Sequence, residues 1–177
     1  MTLIHCTQKL LKDLENPPLH TPADTQGLGN WYANLIRIDR KKCLLFTNEK
    51  TLYSFLIPNI LKKNIKNIEE EFLINLNLNL QAEGFSLEII KKVMQEYTEI
   101  GFAKTASKTV LGAMTQLMFE YEVLIEMKEG LENVKVLEMN KHINRSLMRG
   151  TRHLHPIEML QELLAGVEVP RPRIKEI

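Results

Sequence analysis

The chain has 177 residues, 44% hydrophobic and 25% charged, an ordinary globular composition that excludes a disordered, collagen-like or disulfide-scaffold protein. Its 23 basic residues stand against 22 acidic ones, so no whole-molecule field points at nucleic acid, and any such contact must come from a local patch. A single core of this length buries enough surface to need neither a metal nor a disulfide.

Leu3 to Cys6 is a short apolar run, followed by Thr7 as a helix cap and by Leu10, Leu11 and Leu14 at helical spacing, which predicts a strand and then a helix. Residues 16–30 hold three prolines and two glycines and read as a long loop of the kind that carries binding segments. Tyr32 to Ile38 and Lys42 to Thr47 are rich in strand formers around a polar Asp39-Arg40-Lys41 tip, a hairpin. Thr51 to Ile57 ends at Pro58, which cannot donate to a ladder, so three consecutive strands imply an antiparallel meander.

Beyond Pro58 the spacing changes. Leu61, Ile65, Ile68, Phe72, Leu76 and Leu80 step by three or four and predict a helix, although the Asn-Leu alternation over 73–80 also fits an extended second half. Ser86 caps a shorter amphipathic helix through Tyr97, and Glu99 to Lys104 is a candidate strand. Ser107 opens the strongest helix, with Val110, Met114, Leu117, Met118, Tyr121 and Ile125 on one face and Gly130 as the stop. This helix is expected to be the central packing element. Val134 to Leu137 is a further candidate strand, His155-Pro156 opens a last helix through Ala165, and Pro170 to Ile177 reads as a loose polar tail. The fold expected is one α+β domain, an antiparallel sheet of the first strand and the 32–57 meander packed against several helices.

Cys6 and Cys43 lie inside apolar, strand-like runs, which points to free buried thiols in a reducing compartment. Met1 to Lys12 places its charges after its apolar residues, the reverse of a secretory signal, and Glu120, Glu122 and Glu126 interrupt the longest apolar helix, so neither export nor a membrane span is expected. Either cysteine with His5 or His142 as base is the best catalytic arrangement available, and a buried thiol is a poor nucleophile. No phosphate loop, nucleophile elbow or zinc-protease motif occurs. The paired carboxylates Glu122/Glu126 and Glu158/Glu162 read as solvated helix faces. His153 and His155 with Glu158, and His5 with Cys6, are too scattered for a metal site, and neither metal nor cofactor is expected.

The most distinctive charge feature is 140–155, which holds Lys141, Arg145, Arg149 and Arg152 and no acidic residue. On a helix these cations share one face suited to a phosphate backbone or an acidic protein; the same run also reads as a solvated surface neutralised from elsewhere. Arg40 and Lys41 at the hairpin tip form a second cationic point. Trp31, at the exit of the long loop, either anchors that loop or lines a pocket beneath it, with His5 and Asp39 as further wall residues.

Ile4-His5-Cys6-Thr7-Gln8-Lys9-Leu10, Gly29-Asn30-Trp31-Tyr32-Ala33-Asn34-Leu35, Asp39 to Phe46, Leu56-Ile57-Pro58 and Val110-Leu111-Gly112-Ala113-Met114 together resemble an uncharacterised family of small bacterial proteins known as a domain of unknown function. The resemblance covers nearly the whole chain in order. It implies a bacterial, cytoplasmic, single-domain protein and carries over no catalytic residue; Ala106-Ser107-Lys108-Thr109 departs from the family's Arg-Ser pair at that place. The function expected is a non-enzymatic binding or regulatory module with a basic surface for nucleic acid or an acidic protein. The alternatives are a small-molecule site or enzyme under the 16–30 loop, and a homo-oligomer.

Overall fold

A computed structural model describes residues 1–148 and 155–165. The elements in chain order are β1 (Thr2–Cys6), α1 (Gln8–Asp13), β2 (Trp31–Ile38), β3 (Lys41–Asn48), β4 (Ser54–Ile57), α2 (Lys62–Lys66), α3 (Ile68–Ala82), α4 (Leu87–Gln95), β5 (Ile100–Lys104), α5 (Lys108–Met127), α6 (Val136–Ile143) and α7 (Pro156–Ala165), with a 3₁₀ turn at Leu131–Asn133. The strands form one mixed sheet in the order β4-β3-β2-β1-β5, so the class is α+β. The meander β2-β3-β4 is antiparallel, as its short polar connections dictate. Asp39 and Arg40 both take positive φ, the two-residue turn whose twist suits a hairpin.

β1 departs from the expected antiparallel arrangement. It lies inside the sheet and runs parallel to both β2 and β5, with Ile4 opposite Trp31 and Phe102. The cause is the length of the connections: α1 with the long loop, and then α2 to α4, are crossovers that return the chain to the same end of the sheet. The strands are apolar on both sides because helices cover both faces. One face carries Ile4, Ala33, Leu35, Leu44 and Phe46 against α1 to α4 and α7, around an aromatic cluster in which Phe72 lies 5.4 Å from Trp31, 5.2 Å from Phe46 and 5.3 Å from Tyr97. The other carries Tyr32, Ile36, Cys43, Leu45 and Leu56 against α5 and α6. Thus α5 covers one face of the sheet, and most helices pack on the opposite one.

One alternative is settled and one reading is corrected. The Asn-Leu stretch of α3 is helical throughout, because Leu76 and Leu80 continue the buried stripe while Asn75 and Asn79 donate back to the carbonyls of Glu71 and Asn75. Residues 134–137 are not a strand: Val134 and Lys135 are a short extended link with no strand partner among the described residues, and Val136 and Leu137 open α6. The reason is the edge of β4. Asn140 Oδ1 accepts from the Leu56 amide (3.0 Å), Asn144 Oδ1 from the Ser54 amide (2.8 Å), and Asn144 Nδ2 donates to the Ser54 carbonyl (2.7 Å). Residues four apart on a helix are separated by about 6 Å along its axis. Outward amides two apart on a strand are separated by about 6.7 Å, so two asparagines one turn apart stand in for a neighbouring strand. Asn140 also accepts from the Tyr121 hydroxyl (2.7 Å) and donates to Asn79 Oδ1 (3.0 Å), leaving no arm of the amide idle. Burial pushes the Tyr121 phenol above its ordinary range, which keeps it a donor.

At the opposite edge Leu19 bridges Phe102, and the His20 amide donates to the Phe102 carbonyl (2.8 Å), so the long loop covers β5. Asn140→Ala or Asn144→Ala is expected to destabilise the protein by about 2–4 kcal/mol in urea unfolding, since each strands several buried polar groups. His142→Ala, on the exposed side of the same turn, is expected to cost less than about 0.5 kcal/mol.

Candidate interaction site

The structure separates the three residues expected to line a pocket under the 16–30 loop. Trp31 is buried on the aromatic face, where its Nε1 donates to the Tyr97 hydroxyl (2.8 Å), which itself donates to the Gly29 carbonyl (2.9 Å). It therefore anchors the loop. His5 points to the other face of the sheet, stacked on Tyr32 with Nδ1 2.9 Å from the Lys104 carbonyl. Asp39 sits at the far end of β2 and accepts from the Leu131 amide (3.1 Å). The loop is tied down further: Glu96 accepts from the Leu28 amide (2.9 Å), and Lys50 Nζ donates to the carbonyls of Thr25 (2.6 Å) and Gly27 (2.8 Å). Gly27 has positive φ, and a Cβ there would collide with the Glu96 carboxylate.

Both cysteines are buried and free. Burial pushes the Cys6 thiol up to about 12 and raises that of Cys43. Cys6 packs on the face opposite His5, so the His5–Cys6 arrangement is not a base beside a nucleophile. At the start of α7 the His155 amide donates to Glu158 (2.7 Å), a capping role for that pair. Among the described residues no group of three potential ligands is placed to hold a metal ion.

Of the cationic run, Arg149 and Arg152 lie outside the described residues, as does the polar tail. Lys141 is on α6, but Arg145 lies past its end and makes a two-pronged contact with Glu83 (2.7 and 3.3 Å), a carboxylate whose side chain is 0% exposed and which also accepts from Tyr53. This contact raises the Arg145 guanidinium pKa, opposed by partial burial. Arg145 is thus engaged within the fold. At the hairpin tip Arg40 is exposed and Lys41 lies 3.9 Å from Glu132, beside the 3₁₀ turn.

A concavity of about 670 Å³ lies between the C-terminal half of α5, the 3₁₀ turn and α6. Leu124, Val134 and Met139 form its floor and Met127 its lip, while Lys128, Lys135, Glu138 and His142 stand on its rim. Among the described residues neither Lys128 nor Lys135 has an ion-pair partner. Beside the lip the outward face of α5 carries Phe119, 66% exposed, then Val123 and Met127, 73% exposed, spaced four apart in one apolar ridge. Sequence reasoning missed this site, because reading 134–137 as a strand removed one wall. The available signal was the 119-123-127 spacing on the side of α5 opposite its buried stripe.

Fold and groove together define a single-domain α+β protein with an open, apolar-floored concavity on the face covered by α5 and α6. Residues 3–159 match the model of the family described as a domain of unknown function, DUF6933, and the chain belongs to that family. No curated protein and no solved structure matches it. Among the described residues no helix is long and apolar enough to cross a membrane.

Two outcomes test these placements. Neither thiol of the folded protein is expected to react with an aromatic disulfide reagent between about pH 7 and about pH 9, both becoming reactive in denaturant; a rate that climbs to a plateau in that range contradicts the assigned burial. Arg145→Ala is expected to destabilise the fold by about 1–3 kcal/mol by leaving the Glu83 carboxylate buried without its cation, and Lys141→Ala by much less.

Proposed function

We propose that the protein is a non-enzymatic binding module of a bacterial cytoplasm, and that its partner is an acidic, amphipathic helical segment of a protein received between α5 and α6. One observation carries this reading: an apolar floor whose rim holds two lysines that, among the described residues, form no ion pair, beside a single rim carboxylate, Glu138. A helix presenting apolar residues at i and i+4 fills such a floor, and carboxylates on its flank meet the rim. A phosphate backbone gains nothing from Leu124, Val134 and Met139 and prefers a row of cations. In the described part of the cationic run, Arg145 is already held by Glu83. The buried thiols are in keeping with a reducing compartment.

The test is titration of a fluorescent helical peptide of leucine and glutamate, with a leucine-glutamine peptide and a DNA duplex as comparisons. The acidic peptide is expected to bind at least about tenfold more tightly than the uncharged one, and the double substitution Lys128→Glu, Lys135→Glu to remove that advantage. If the duplex binds instead, with a steep salt dependence untouched by the double substitution, the contact surface lies elsewhere and this reading fails.

A further inference from the structure

The groove is one of three bands that run side by side along α5. Next to it lies the ridge of Phe119, Val123 and Met127, and beyond the ridge, on the side away from α6, stand Glu122 and Glu126, both exposed and without an ion pair among the described residues. The two glutamates line a separate shallow concavity with Arg37, Asp39 and Glu129, which fixes them on the flank opposite the lysines. An apolar row at i, i+4 and i+8 with carboxylates at i+3 and i+7 has the chemistry that the groove selects. The chain carries its own ligand.

We infer that the partner is a second copy of this chain, paired through α5 in a two-fold dimer; this rests on the reading of the groove as a docking site for an acidic amphipathic helix. The arrangement of charge fixes the orientation. A two-fold axis running along α5 keeps the helices parallel and carries each flank across to the other side, so Glu122 and Glu126 of each copy face Lys128 and Lys135 of the other. A two-fold axis across α5 makes the helices antiparallel and leaves each flank on its own side, acidic against acidic. The parallel pairing is therefore the complementary one, and it sets Met127 against Met127 near the axis. The ridge by itself is small beside the roughly 800 Å² per partner of a standard interface, so the charged flanks contribute much of the contact. Association is accordingly concentration-dependent and weakens with salt.

Sedimentation equilibrium of the full chain tests this. The expected result is a monomer–dimer equilibrium, weakened at least about tenfold by Lys128→Glu with Lys135→Glu and to a similar degree by Glu122→Lys with Glu126→Lys, when each variant unfolds at the parent's temperature. Mixing the two variants is expected to restore association as a heterodimer, since each then presents what the other lacks. Under mild oxidation Met127→Cys is expected to cross-link to itself. Dimers indifferent to both charge reversals, or cross-linking only between Phe119→Cys and Met127→Cys, overturn the inference. A chain that stays monomeric yet binds the leucine-glutamate peptide overturns it as well, while leaving the docking role of the groove intact.

Discussion

The arrangement of this molecule depends on how the outer edge of β4 is closed. An edge strand presents amides and carbonyls that must be paired, covered or hydrated, and an uncovered edge invites pairing with another chain. Here the pairing comes from the side chains of a helix. Asn140 and Asn144 meet Ser54 and Leu56 with the spacing of a strand, and the Asn144 amide exchanges both a donor and an acceptor with Ser54 as a peptide group does. Because every arm of both amides is used, α6 is fixed in register as well as in position. The groove between α5 and α6 therefore follows from the pairing of β4, with Met139 on its floor one residue before Asn140.

The long loop plays the same part at the other edge. Leu19 and His20 cover β5, while Trp31, Tyr97, Glu96 and Lys50 fasten the loop's return to the sheet. With both edges covered and helices on both faces, the outward side of α5 sets three large apolar side chains, Phe119, Val123 and Met127, in line on a single helix beside an apolar concavity. Isolated exposed apolar residues are ordinary on protein surfaces; a row that continues into a groove is the kind of patch associated with interaction.

Local chemistry wrote much of the fold plainly. The hairpin around Asp39 and Arg40, the strand that stops before Pro58, the Ser107 cap and the buried stripe of α5 follow from turn residues, strand formers and helical spacing within a few residues of one another. What the sequence concealed is non-local. The parallel pairing of β1 depends on where two long crossovers return, and the helix that starts at Val136 depends on the outward amides of Ser54 and Leu56, some eighty residues away. The β-branched Val134 and Val136 carry no mark of that demand. The cationic run was legible as composition, but not that Glu83 waits for Arg145, since that contact spans the distance between two helices that are remote in sequence.

The same distinction bears on what charge does in this protein. Arg145 and Lys128 are equivalent as entries in a net charge, yet they differ physically. The carboxylate facing Arg145 is buried, so that pair is screened little and serves the fold; Lys128 and Lys135 stand in water at the mouth of an apolar groove and keep their field for whatever approaches. A cation already held by a buried anion cannot exchange it for an external one without leaving that anion stranded, a cost of about 1–3 kcal/mol. Free rim lysines incur no such penalty and lose only hydration and side-chain freedom on meeting a carboxylate. The apolar floor beside them supplies the favourable burial that an exposed ion pair lacks, and the pairing of charges then selects among apolar partners and sets their orientation. Selectivity for an acidic amphipathic helix thus comes from the coexistence of the two within one groove, where the floor binds and the rim discriminates.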